Sequence, residues 1–224
     1  MIEQIKQTIT KINNELPETV KLVAVSKFHP AESIQAAYDA GQRIFGESRA
    51  QELQTKQPVL PQDIQWHFIG HLQPNKVKYI APYVSLIHAV DNFKLMAEID
   101  KQAQKHQRII SVLLQLHVAQ EESKFGFKVN ECRDFLEKGE WKQLTHVQIA
   151  GIMCMASHTD NEEQIRSEFR TAYNFFLEAK EKFFANDDRF CERSWGMSDD
   201  YPIAIEEGCT MVRIGTKIFG ERVY

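Results

Sequence analysis

Cysteine is scarce in this 224-residue chain, with thiols only at Cys132, Cys154, Cys191 and Cys209. None forms a C-x-x-C pair, and each sits in a stretch that reads as strand or helix, so small buried apolar residues are expected rather than metal ligands. Long apolar runs are missing too: no stretch approaches the roughly 18 residues of a membrane-spanning helix. Residues 1–16 are polar with spaced apolar positions, unlike a signal peptide. Neither sign of charge dominates, with 27 Lys and Arg against 31 Asp and Glu, a formal net charge of -4. The charges are interspersed. No basic block suggests nucleic acid and no acidic tail suggests a disordered arm. Low-complexity sequence is absent as well. The expectation is a cytoplasmic protein that binds neither nucleic acid nor membrane.

What is present is ordinary globular sequence, 43% hydrophobic and 26% charged, long enough for a core that needs no disulfide or metal. Short apolar runs, several without polar alternation, recur between helix-like segments. They are 21–26 (K-L-V-A-V-S), 43–46 (R-I-F-G), 65–70 (Q-W-H-F-I-G), 86–90 (L-I-H-A-V), 111–118 (S-V-L-L-Q-L-H-V), 147–155 (V-Q-I-A-G-I-M-C-M), 190–197 (F-C-E-R-S-W-G-M) and 211–214 (M-V-R-I). Continuous apolar character marks strands buried on both faces of a parallel sheet. The run at 190–197 departs most from the pattern because it contains Glu192 and Arg193. Between the runs lie helical patterns at 2–16, 30–40, 91–106 and 159–185. The second has Pro30 at its start and Gly41 just past its end, the usual asymmetry of helix ends. Phe and Lys spacing in 169–184 reads as a helix packing on its neighbours.

Eight strands alternating with helices predict an α/β fold, a single (β/α)8 TIM barrel over residues 1–224. A dinucleotide-binding fold would place G-x-G-x-x-G after the first strand, where this chain has S-K-F-H-P.

Barrel chemistry sits at the carboxyl ends of the strands. Lys27 follows the first strand, where partial desolvation favours a neutral, nucleophilic amine. From position alone, a loop lysine and a nucleophile are both open. The segments 195–200 (W-G-M-S-D-D) and 213–216 (R-I-G-T) follow the seventh and eighth strands, where many barrels hold phosphate. Ser198 offers a hydroxyl and is expected to cap a helix over 199–207, with Gly215 and Thr216 completing a cradle. Turn chemistry alone would also account for either motif. A lysine and a phosphate cradle on one rim suggest pyridoxal 5'-phosphate (PLP), or a cofactor-free Schiff-base aldolase. Arg213 would face either a pyridine nitrogen or a structural glutamate. His67 and His71 have i, i+4 spacing, but Gly70 and Pro74 break the helix that a metal site would need, so core or rim roles are expected. Lys76 and Lys78 begin a helix that Asn75 is expected to cap, and residues 121–127 form a polar loop that could border the site.

Together these segments resemble the pyridoxal phosphate homeostasis protein family. The resemblance runs through V-A-V-S-K at 23–27, F-G-E-S at 45–48, W-H-F-I-G-H-L-Q-P-N-K at 66–76, H-A-V-D at 88–91, E-E-S-K at 121–124 and G-I-M-C-M-A at 151–156. It continues in G-M-S-D-D-Y at 196–201, A-I-E-E-G at 204–208 and M-V-R-I-G-T-K-I-F-G at 211–220. It implies a fold-type III PLP barrel like the N-terminal domain of alanine racemase. Lys27 would form the internal aldimine, with Ser198, Gly215 and Thr216 at the phosphate and Arg213 near the ring nitrogen. Ser48 stands where the family carries a cofactor-facing asparagine, Trp195 where Met is common and Cys154 where a small residue is common. The implied role is to bind PLP and deliver it to PLP-dependent apo-enzymes, in vitamin B6 homeostasis and without established turnover. A monomer is expected. The alternative is an amino-acid racemase, which in this fold draws a tyrosine from a second domain; few residues remain here after the eighth strand.

Overall fold

Continuous apolar runs can be satisfied only where both faces of a strand are covered, and the chain meets that condition by closing its sheet. The structure, a computed structural model, describes residues 2–121 and 125–221. The first half runs α1 (Ile2–Glu15), β1 (Lys21–Val25), α2 (Ala31–Asp39), β2 (Ile44–Glu47), α3 (Ala50–Lys56), β3 (Gln65–Phe68), α4 (Val77–Ile80), β4 (Leu86–Val90) and α5 (Phe93–Lys105). The second half runs β5 (Ile110–Leu116), α6 (Val129–Lys138), β6 (Val147–Cys154), α7 (Glu162–Phe183), β7 (Glu192–Ser194), α8 (Tyr201–Glu206), β8 (Met211–Ile214) and α9 (Thr216–Phe219). Each strand pairs in parallel with the next, and β8 pairs with β1 through Leu22 opposite Val212 and Val23 opposite Arg213, which closes an eight-stranded barrel. The predicted fold class is the one observed.

Strand parity divides the core in two. Leu22, Ala24, Phe45, Trp66 and Phe68 belong to a large apolar cluster shared with the helices, whereas Val23, Leu86, Ala89, Leu113, Ala150, Met153 and Met211 form a smaller cluster in the bore. Helices pack by the complementary rule. In α7 the buried Ile165, Phe169, Ala172, Phe176 and Ala179 fall on one face at helical spacing, and each buried Phe adds roughly 1.5–3 kcal/mol of transfer free energy. Asn92 caps α5 by accepting from the Leu95 N–H at 2.8 Å. Gly41 follows α2 with φ +97°, a conformation that costs glycine little.

Three expectations about these elements need correction. β7 is only three residues long, because Glu192 and Arg193 are satisfied by Lys21 and by the Gly208 carbonyl rather than by apolar packing. Cys191, just before it, is exposed, while the other three cysteines are buried. Asn75 lies inside a short 3-10 turn, Pro74–Lys76, and does not cap α4. Residues 122–124, part of the predicted polar loop, lie outside the described residues. No helix among the described residues is long and apolar enough to cross a membrane.

Candidate functional site

β1 ends at Val25, and Ser26 and Lys27 lead into a turn in which Phe28 adopts φ +67°, a left-handed conformation uncommon outside glycine. Buried polar contacts hold both neighbours of Lys27. The Ser26 hydroxyl donates to Glu47 Oε1 at 2.6 Å, and Lys56 Nζ donates to the Ser26 carbonyl at 2.9 Å. Lys56 also bonds Glu47 at 2.8 Å and Glu52 at 2.6 Å, and Glu52 accepts the Phe28 N–H at 2.6 Å. The lysine is therefore presented from a braced corner. Glu47 is fully buried with Oε2 unpartnered among the described residues, and burial pushes its carboxyl up to about 7 against the opposing pull of Lys56.

Barrel closure sets β1 beside β8, and β7 is the next strand round. The loops after these three strands enclose a cavity of about 260 Å³ whose wall includes Lys27, Ser198, Arg213, Gly215 and Thr216. Five of the six residues singled out from the sequence thus meet at one cavity. The sixth, Ser48, is not in its wall; it packs against Gly70, where an added Cβ would come within 2.6 Å of the Ser48 carbonyl oxygen.

The cradle differs in detail from expectation. α8 begins at Tyr201, and its leading turn is closed by the Asp200 carboxylate, which accepts from the Met197 N–H. Ser198 therefore does not cap it. The Ser198 hydroxyl instead accepts from the Gly215 N–H at 3.4 Å, joining the two loops. A Cβ at Gly215 would lie 3.1 Å from the Val25 carbonyl oxygen, so glycine permits this loop to lie against the end of β1. Among the described residues, the amides of Ser198, Asp199 and Thr216 meet no main-chain acceptor, and all three residues border the cavity. Unpaired amides and two hydroxyls suit a multiply charged oxyanion.

Arg213 supplies the charge. Only 5% exposed, it donates through Nη1 to the Ser194 carbonyl at 2.9 Å and to Ser194 Oγ at 2.7 Å, and through Nη2 to the Cys154 carbonyl at 3.1 Å. Those bonds use three of the guanidinium's five N–H donors. All three acceptors are neutral, and no ion pair to Arg213 exists among the described residues. Burial lowers its pKa, which is the cost of a charge held out of water without a carboxylate partner. An acceptor in the cavity would offset that cost.

Sequence reasoning did not single out His29, Ile69 and Met155, which also line the cavity. His29 stacks on Phe219 at 5.2 Å; the H-P pair at the end of the first loop was its one visible signal. The Glu47–Lys56 brace was missed as well, although a glutamate closing an apolar run (I-F-G-E) is a usable sign. His67 is buried in the bore, whereas His71 is exposed and stacks on Phe125 at 4.0 Å. Lys76 and Lys78 lie over the Tyr79 ring at 5.7 and 5.0 Å, and neither lines the cavity.

Comparison with known proteins places this geometry. The family described as alanine racemase, N-terminal domain, matches residues 2–223. A pyridoxal phosphate homeostasis protein of Aquifex aeolicus is 38% identical over 91% of this chain and 88% of its own. PipY of Synechococcus elongatus, solved with and without PLP, is 36% identical over 96% of this chain and 100% of its own, with TM-scores of 0.87 and 0.90 respectively. An alanine racemase of Clostridium difficile shares the fold alone, at 16% identity and a TM-score of 0.78 over 98% of this chain and 57% of its own.

Proposed function

The chain belongs to the pyridoxal phosphate homeostasis protein family, and from that premise we propose that it binds PLP in the cavity at the carboxyl end of its barrel. PLP brings an aldehyde that takes up a primary amine, a pyridine ring that can accept electrons, and a phosphate dianion. The residues present fit each part. Lys27 supplies the amine. The unpaired amides of Ser198, Asp199 and Thr216 and the hydroxyls of Ser198 and Thr216 receive the phosphate, with Gly215 letting it approach closely. Arg213, with N–H donors to spare, would meet the ring nitrogen. The observation that carries this reading is Arg213, a buried cation without a carboxylate partner among the described residues, in the wall of the same cavity as Lys27.

The same arginine tunes the ring without deciding between holding and turnover, since racemases of this fold carry one too. A donor that cannot give up its proton leaves the ring nitrogen unprotonated, which weakens the ring as an electron sink. From the family, residues 1–224 would act as one cytoplasmic, monomeric PLP-binding unit that maintains the cofactor pool and passes PLP to apo-enzymes, without established turnover. Ser48, outside the cavity wall, would contribute by shaping the approach through Gly70.

The test is spectroscopic. The protein with PLP is expected to be yellow, its visible band to shift on borohydride reduction, and that band to be lost in Lys27→Ala. A colourless protein that also fails to take up added PLP would overturn the reading. Single amino-acid enantiomers incubated with the loaded protein are expected to stay unchanged; appearance of the opposite enantiomer would establish a racemase instead.

A further inference from the structure

The bore holds a row of polar groups that a cofactor in the upper cavity would not touch beyond Arg213. Arg213 and His67 are 5% exposed, and Ser194 and His88 are fully buried. Arg213 Nη1 lies 2.7 Å from Ser194 Oγ, Ser194 Oγ lies 3.0 Å from His88 Nδ1, and His88 Nε2 lies 3.0 Å from His67 Nδ1. His67 then lines a second cavity, of about 430 Å³, at the amino end of the barrel, together with Lys21, Gln65, Ser85, Ser111 and Glu192. Its Nε2 has no protein partner among the described residues.

Counting protons gives this row a direction. A guanidinium only donates, so Ser194 Oγ accepts at the first contact. The serine's own hydrogen then needs an acceptor, and His88 Nδ1 is the other side-chain group bonded to that oxygen. Were His88 to donate there instead, the hydroxyl hydrogen would be buried without an acceptor, an arrangement folded proteins avoid. A neutral imidazole carries one N–H. His88 therefore carries it on Nε2 and donates to His67 Nδ1, and His67 carries its own on Nε2, towards the amino-end cavity. Both rings are neutral at physiological pH: burial holds His67 down at about 3, and burial with the neighbouring His67 and Arg213 holds His88 well below its ordinary value.

We propose that Ser194, His88 and His67 are positioning residues for Arg213, forming a one-way hydrogen-bond line through the bore that ends as an N–H donor in the amino-end cavity. The line fixes the guanidinium from behind, so that its remaining donors keep one orientation in the upper cavity. It rests on the PLP reading only for what those donors meet; its polarity does not.

Nitrogen NMR of the full-length protein with labelled histidine tests it. Without PLP, His67 and His88 are both expected as neutral Nε2–H tautomers at pH 7. Adding PLP, with uptake followed by the visible band in the same sample, is expected to shift the ring resonances of His67 at the far mouth. In Ser194→Ala that response should be lost and apparent PLP affinity should fall about fivefold, as for one buried hydrogen bond; Ser194→Thr, which keeps the hydroxyl, should restore both. An Nδ1–H or charged form of either histidine would overturn the line, as would PLP uptake that leaves His67 unmoved. If no PLP is taken up, the functional reading fails, and the tautomers still decide the line. Those tautomers are read on the wild-type protein, so an unstable variant does not remove the test.

Discussion

Glu47 lies fully buried beside the Lys56 ammonium, and the attraction does not cancel the cost of burial: its carboxyl is raised from the ordinary 4.5 to about 7. One oxygen takes the Ser26 hydroxyl and Lys56, while the other has no partner among the described residues. Because the folded value lies above the unfolded one, the folded state holds its proton where the unfolded chain has lost it. The contribution is fully present below about 4.5 and is lost as pH rises through about 7. Urea titrations are expected to show this group removing as much as about 3 kcal/mol across that window, and Glu47→Gln to abolish that part of the slope. A wild type and variant that track each other from pH 4 to 8 would disprove the assignment. The brace has a functional side, since Ser26 and Phe28 flank Lys27. The lysine itself was legible because a strand end can be read from local sequence. Its brace was not, because Glu47, Glu52 and Lys56 come together only when α3 folds back over β2. Ser194 and His88 were hidden, and His67 was legible only as a core or rim histidine without its partners, for a related reason: whether a strand residue enters the bore depends on parity, and irregularities in the β4–β5 and β5–β6 pairings shift that parity.

The irregularity in β6 is also where an element is most sensitive. Val112 pairs with Ile149 and Leu113 with Gly151, so Ala150 is an extra residue, a bulge that bends β6 locally. Gly151 then adopts φ +154°, and a Cβ there would lie 1.8 Å from the Glu192 carbonyl oxygen. That contact is with backbone and cannot be relieved by a rotamer change. Gly151→Ala is expected to push β7 away from β6 and to destabilise the protein by about 3 kcal/mol or more, seen as a lower urea midpoint; an unchanged midpoint would mean that the strands can separate freely. Most elements were readable because their apolar period and their ends agree, as in 30–40 between Pro30 and Gly41. β7 resisted because it contributes three residues, two of them charged. Glu192 faces Lys21 in the bore, and Arg193 turns outward over the Phe176 ring at 4.9 Å. Both charges are explained by neighbours distant in sequence, which a local reading cannot supply.

At the scale of the molecule, closure brings residue 27 to the side of residues 198 and 213–216, so a ligand in the upper cavity ties the first strand of the barrel to its last two. Such a ligand binds the closed barrel and not the unfolded chain, and it must raise stability by mass action. At a hundredfold excess over its dissociation constant the gain is about 2.7 kcal/mol, a Tm rise of roughly 5–10 °C for a chain of this size. The cradle and the lysine make separable contributions. Inorganic phosphate occupies only the amides of Ser198, Asp199 and Thr216 and the hydroxyls of Ser198 and Thr216, so it should raise Tm by a smaller amount, equally in the wild type and in Lys27→Ala. PLP should raise Tm by the full amount in the wild type and by little more than phosphate in Lys27→Ala. Equal PLP shifts in the two proteins would show that the lysine does not hold the cofactor. An absent phosphate shift would remove the cradle and leave the lysine and Arg213 to bind alone, which the unpaired amides of the two loops argue against.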